Sequence, residues 1–338
     1  MTVLLTCILL LLTPEARDSL LAKTPGNQAF WEETLENTLG QQREAVEYLF
    51  ETIPRLDRLE MTEESLMDHV QGALAVRNEF YDSLPDSMFL EYLVSYRIDE
   101  EPVAPYRAEL REFWASRIET AGNPAETALE IASWISVNVE VFQYDYLGGI
   151  ADPLSIIGSG GGTSGEHRVL LCASLKALGI AARPVLGWFS GENGGCRRWL
   201  EVWDGKSWLP VVSPADSIPE NWTGLALAMV PGLDTPVTAD YRPAGILVSS
   251  PLEYTDEEQF TAVLNIPVKG RYLPLDYLWL STSLQDTVEL GEGEYILMVS
   301  SRRSSGLVDM WLHKIDIAEN DTTAVDLSDS QYALTPLP

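Results

Sequence analysis

Apolar residues recur every three or four positions from about Phe30 to Glu119, then in short alternating runs after Pro236, so this chain carries two different packing patterns. The first is set by Trp31, Leu35 and Leu39, then by Ala45, Tyr48, Leu49 and Ile53 ahead of Pro54. Leu66, Val70, Leu74 and Val76 continue it, as do Leu90, Leu93 and Val94. Carboxylates fill the gaps, which predicts amphipathic helices that bury one face. The second pattern predicts strands at Gln259–Ile266, Tyr277–Ser283, Thr287–Leu290, Tyr295–Ser300, Leu307–Ile317 and Thr323–Leu327. Turn residues at Lys269-Gly270, Gly291-Glu292-Gly293 and Ser305-Gly306 separate them, the spacing of a small immunoglobulin-like β-sandwich.

Between the two patterns the elements mix. Asn123-Pro124 predicts a helix start, with the helix over Ala125–Val139. A glycine-rich loop, Gly158-Ser159-Gly160-Gly161-Gly162-Thr163-Ser164-Gly165, leads into a helix over Glu166–Leu178 that Gly179 ends. Strands follow at Ala182–Trp188, Trp199–Trp203 and, after an Asp204-Gly205 turn, Ser207–Val212. The whole reads as an α+β fold. At 338 residues there is room for two or three domains. The limits read from the patterns are 1–27 for a leader and linker, 28–120 for the helical region, 121–234 for the core and 235–338 for the sandwich.

The net charge of -29 narrows the partners. An acidic surface repels phosphate backbones and anionic lipid, which excludes nucleic acid and a peripheral membrane role. A hydrophobic content of 46%, with ten Trp and thirteen Tyr, supplies real cores. Met1–Leu12 holds an apolar run of secretory length, too short to span a bilayer, which predicts export to a periplasmic, cell-surface or extracellular setting. No basic residue precedes the run, and Cys7 lies inside it. No other segment has transmembrane length. Cys172 sits in an apolar helical pattern and Cys196 in a Gly-rich loop, so neither a disulfide framework nor a zinc site is indicated. The acidic turns Asp99-Glu100-Glu101 and Glu319-Asn320-Asp321 lack calcium-loop spacing. The glycine run lacks the Lys-Ser/Thr of a phosphate-binding loop, so neither a metal nor a cofactor is expected.

Two ordered segments carry a resemblance. The first is Gly162-Thr163-Ser164-Gly165-Glu166, an apolar helix, then Ala177-Leu178-Gly179-Ile180-Ala181-Ala182-Arg183. The second is Arg197-Arg198-Trp199-Leu200-Glu201-Val202-Trp203-Asp204-Gly205-Lys206-Ser207-Trp208. Over Asn123–Ala228 the chain resembles the transglutaminase-like, papain-related superfamily, and its flanking regions resemble a bacterial multi-domain subgroup. The resemblance implies a Cys at a helix N-terminus, a His on a strand and an Asp on the next strand. In such a triad the helix end stabilises the thiolate, His shuttles the proton and Asp orients the imidazole.

Here those positions read Ser164, Arg197 and Ser213, with Asp216 an alternative for the third. A hydroxyl is a weak nucleophile without an adjoining base, and a guanidinium stays protonated at physiological pH. His167, three residues after Ser164, would approach from the helix side and is expected to face solvent; His69 and His313 are expected at the surface or in packing. These substitutions lead to the expectation of a non-catalytic transglutaminase-like protein that binds a peptide, polypeptide or glycan near the old cleft. Arg197 is expected to face Ser164 across that cleft. Binding candidates are Arg197, Arg198, Ser164, Glu166, Trp188, Trp199 and Trp208. The alternatives are an active hydrolase or acyltransferase using Ser164, and a structural module.

Overall fold

The structure, a computed structural model, describes residues 12–118, 123–142, 149–211, 213, 221–233, 235–250, 258–280, 286–303, 306, 308–327 and 333–334. The leader run up to residue 11, Cys7 and Asp216 lie outside the described residues. By packing, the chain forms two compact units, Met1–Pro184 with Trp199–Ser217, and Val185–Arg198 with Ile218–Pro338.

The first unit is mainly helical. Helices α1 (Pro14–Ala22), α2 (Gln28–Asn37), α3 (Gly40–Thr52), α4 (Arg55–Glu60) and α5 (Glu63–Ala75) precede α6 (Asp86–Met88), which runs into a π-helical stretch, Phe89–Val94. After α7 (Arg107–Ala115) and α8 (Pro124–Asn138) come the two-residue strand β1 (Glu140–Val141), α9 (Pro153–Ser159), β2 (Gly161–Gly162) and α10 (Ser164–Ala177). The helical periodicity holds with one exception. Leu39, in register with Trp31 and Leu35, is 82% exposed because the chain breaks there, in the residue before α3. Trp31, Leu35, Leu49, Phe50, Leu66 and Leu93 form one core, which also takes in Ala181.

Strand β3 spans Ala182–Phe189, β4 spans Gly195–Trp203 and β5 spans Trp208–Val211. Within the first unit β4 and β5 pair antiparallel, from Leu200 opposite Val211 to Trp203 opposite Trp208. Leu200, Val202 and Val211 share a second core with Val169, Leu170, Leu171 and Cys172 of α10. The expected helix on an antiparallel pair is therefore present. Gly179 ends the α10 segment at φ +92°, where a Cβ would lie 2.4 Å from the Val76 carbonyl oxygen. No other residue fits that approach.

In the second unit, β3 pairs antiparallel with β6 (Leu225–Val230), and β6 with β7 (Thr235–Pro236). The later strands are β8 (Ala244–Ser250), β9 (Glu258–Val268), β10 (Arg271–Leu280), β11 (Asp286–Gly291), β12 (Gly293–Arg303), β13 (Val308–Ile317), β14 (Thr322–Asp326) and β15 (Ala333–Leu334). They form a sheet of order β10-β9-β12-β13-β15 and another of order β11-β8-β14. Leu247, Val288 and Leu290 of the smaller sheet bury against Leu264, Ile266, Leu297, Val299 and Ile315 of the larger. That is a sandwich. Strands β6 and β8 are not evident from alternation; β6, Leu-Ala-Leu-Ala-Met-Val, is buried at every position and so shows no period of two. Neither unit limit coincides with those at 121 and 235, since α10 packs against α5 and α7, and β3 and β4 each continue into the second unit.

A buried polar cluster ties the N-terminal helices to α10. Arg107 is buried; its Nε donates to His69 Nδ1 at 3.1 Å, Nη1 to the Lys176 carbonyl oxygen at 3.2 Å, and Nη2 to the carbonyl oxygens of Leu93 and Ser95. Because Nδ1 accepts, His69 carries its proton on Nε2 and donates to Ala104 O. Lys176 Nζ donates to Ser95 Oγ. Burial, reinforced by the Arg107 and Lys176 charges, holds the His69 imidazole well below its ordinary pKa. Burial lowers Lys176 to about 8.

Helix α7 has no capping side chain of its own. Asp68 on α5 supplies one: its carboxylate accepts from the backbone N–H groups of Tyr106, Arg107 and Ala108 at 2.8, 2.7 and 3.0 Å. Replacing Asp68→Ala orphans three donors at a helix start, where loss of a cap costs about 0.5–2 kcal/mol. Chemical denaturation is expected to show a loss near the top of that range, with Asp68→Asn milder. Lys176 sets a pH dependence of opposite sign to a salt-bridged lysine. Its folded pKa lies below the unfolded 10.5, so its destabilising effect is full below pH 8 and disappears as pH rises to 10.5. Measured against Lys176→Met, which cancels the contributions of other groups, the wild type should gain ~3 kcal/mol across that window.

Candidate functional site

Ser164 is the first residue of α10, directly after its cap. Thr163 Oγ1 accepts the Glu166 N–H at 3.4 Å, and the Glu166 carboxylate accepts the Thr163 N–H at 2.7 Å, a reciprocal capping box. The same carboxylate accepts the Ala151 N–H at 2.9 Å. Glu166, one of the expected binding residues, is thus engaged in holding the loop that delivers Ser164. Gly160 turns the chain out of α9 at φ +68°, and β2 then pairs parallel with β1, Glu140 opposite Gly161 and Val141 opposite Gly162. At Gly162 a Cβ would come within 3.0 Å of the Glu166 Cβ. Gly160 answers to its backbone angle and Gly162 to crowding.

The Ser164 side chain is half-buried, and among the described residues its hydroxyl has no hydrogen-bond partner. His167 does not face solvent. It is fully buried on the inner side of α10, and its Nε2 lies 3.3 Å from the Glu140 carbonyl oxygen. A position three residues past Ser164 falls on the helix face turned to the core. His69 is the buried partner of Arg107, and His313 is buried on β13 in the second unit. Cys172 is buried, which pushes its thiol up to about 12.

Ser213 follows β5 and is fully buried; its Oγ has no hydrogen-bond partner among the described residues. Arg197 and Arg198 are on β4, in the second unit, and both are half-buried. Arg197 Nη2 donates to the Asn193 carbonyl oxygen at 3.2 Å, with the guanidinium 5.9 Å from the Phe189 ring centroid. Adjacent strand residues point to opposite faces, so Arg197 and Arg198 do not share one ligand-facing surface.

The three tryptophans divide. Trp188 is a core residue of the second unit and Trp199 is fully buried. Trp208 is half-buried, and the Arg183 guanidinium lies 4.1 Å from its ring centroid, with Tyr92 edge-on at 4.7 Å. Arg183 Nε also donates to the Glu201 carboxylate at 2.5 Å, an ion pair in which both side chains are buried. Neither Arg183 nor Glu201 carries an assigned role in the sequence reading, although both stand inside the two quoted segments. Their signal is a charged residue between apolar neighbours, which needs a partner once buried. Among the described residues, no group of three or more His, Cys, Asp or Glu side chains is arranged to hold a metal ion, and no helix is long and apolar enough to cross a membrane.

No curated protein matches the chain. A solved structure described as "a Putative Cysteine Protease from Cytophaga hutchinsonii" is similar at 23% identity and a TM-score of 0.29, over 35% of this chain and 40% of that one. Another, "a putative protease from Parabacteroides distasonis", is similar at 14% identity and a TM-score of 0.33, over 64% of this chain and 50% of that one. This chain therefore spans half or less of the length of either protein. Residues 112–212 match the sequence profile of the transglutaminase-like superfamily, a span that holds α8, α9, α10 and the paired β4 and β5. Over those residues this chain is similar to the transglutaminase-like superfamily.

Proposed function

We propose that the transglutaminase-like core binds a peptide, polypeptide or glycan and does not turn it over. The observation that carries this reading is the fate of the imidazoles. The chain has three His, and each is buried in a packing role. His69 is held neutral between Arg107 and Ala104, His167 points to Glu140 O from inside α10, and His313 belongs to the second unit. Arg197 occupies the sequence position at which the family places its base, and a guanidinium accepts no proton. Two other titratable groups near α10 are engaged: the Glu166 carboxylate by two backbone N–H groups, Lys176 by Ser95. Without a base the Ser164 hydroxyl forgoes the ~10²–10⁴-fold that proton transfer contributes.

For the ligand, Arg197 is the residue to which we assign recognition. A guanidinium over an aromatic ring, in a protein of net charge -29, suits a carboxylate-bearing group. Trp208 is tied to Arg183 and Tyr92, which suits the fold more than a ligand. Export, which the apolar run Val3–Leu12 suggests, belongs to this same proposal.

Mass spectrometry after exposure to a fluorophosphonate should show no adduct on the Ser164 peptide, and a glutamine peptide assay should show no transamidation or hydrolysis above background. Ser164→Cys alone should gain little, because nothing delivers a proton to the leaving amine. Ser164→Cys with Arg197→His is expected to recover measurable turnover if the substrate site persists. Wild-type turnover that disappears in Ser164→Ala would overturn this reading in favour of a Ser164-dependent hydrolase or acyltransferase.

A further inference from the structure

Helix α8 buries Ala128, Ile131, Ala132 and Ile135 in the core of the first unit. Its opposite face should be polar, yet it carries Leu129 at 61% and Val137 at 79% exposure. At 100° per residue these two, with Ser133 between them, form one outward stripe about 12 Å long. The chain then leaves the helix through Val141 and Phe142, 46% and 41% exposed. Four of the nine large exposed apolar side chains among the described residues thus fall within fourteen positions. Valine is a poor helix former, and an exposed one gains nothing from packing to offset that. Single exposed apolar residues need no explanation, but a cluster opposite a helix's buried face marks a contact surface.

Charge says what kind of partner fits. Glu126 and Glu130 flank the stripe on α8, and Glu140 follows it on β1; all three are exposed. A second copy of this chain is disfavoured. A two-fold contact would set these carboxylates against their own equivalents and bring together two bodies of net charge -29. An anionic lipid surface fails for the same reason.

We infer that the outer face of α8, with Val141 and Phe142, docks a basic amphipathic helical segment of a partner protein. Leu129, Val137, Val141 and Phe142 take the apolar side chains, and Glu126, Glu130 and Glu140 pair with lysines or arginines along its edge. The inference does not depend on whether the core turns over substrate, and a failed turnover result leaves it standing.

The experiment is fluorescence anisotropy with the full chain and three labelled peptides at physiological salt. One is a helical Leu/Lys amphipath, one a Leu/Glu amphipath of the same pattern, and one a Ser/Lys peptide of equal charge without an apolar face. Only the Leu/Lys peptide should bind well, more weakly as salt rises. Leu129→Gln with Val137→Gln should reduce its affinity about tenfold or more, the effect of removing roughly 1.4 kcal/mol of apolar contact. Glu126→Gln with Glu130→Gln should lower affinity and flatten the salt dependence. All four positions are exposed, so the melting temperature of each variant should be unchanged. Equal binding by the Leu/Gln-substituted and wild-type chains would overturn the inference. Equal binding of the Ser/Lys peptide would reduce it to bulk electrostatics, and self-association of the wild type that the Leu129/Val137 variant abolishes would make the occupant a second copy.

Discussion

The first unit depends on α10 being buried on all sides. From His167 to Ala177 every residue of it is buried, and four of these, His167, Arg168, Ser174 and Lys176, are polar or charged. A buried polar group must be satisfied from inside the protein, so each constrains what surrounds it. Ser174 returns its hydroxyl to the Leu170 carbonyl one turn back. Lys176 and its carbonyl recruit Ser95 and Arg107, and Arg107 in turn fixes His69 and the chain around Leu93 and Ser95. The N-terminal helices are therefore joined to α10 by directional bonds as well as apolar packing. The N-terminal helices and α10 accordingly fall within one compact unit.

A second constraint works on β3 and β4. Arg183 and Glu201 form a buried ion pair, and Trp208 and Tyr92 close over the guanidinium. Breaking one member of such a pair leaves an uncompensated charge, a cost of several kcal/mol. Tyr81 adds a further tie, donating to the Trp203 carbonyl oxygen and accepting the Ala181 N–H. The segments that carry the superfamily resemblance are in this way segments that build the core. Arg183, Glu201 and Trp203 of those segments hold the sheet and helices of the first unit together.

Much of this was readable in one dimension. Period 3.6 over 30–119 gave helices, the glycine-rich run 158–165 gave the loop ahead of α10, and Asp204-Gly205 gave the β4–β5 turn. Each of these is a local rule, enforced by backbone sterics or by hydrogen bonds within a few residues. The readings that missed involve partners distant in sequence. His167 is separated from Glu140 by twenty-seven positions and Asp68 from Arg107 by thirty-nine, and no local pattern reports such meetings. β6 was missed for a related reason: burial on both faces removes the alternation by which a strand is recognised.

The sequence by itself determined the α+β class and the helix that follows the glycine-rich loop, because element type is a local property. Only the tertiary structure decided that all three imidazoles are buried in packing roles, that Arg183 and Glu201 neutralise each other, and that Leu129 and Val137 face away from the core. Those are outcomes of which side of each element meets another, and that is settled by burial and by the pairing of polar groups far apart along the chain.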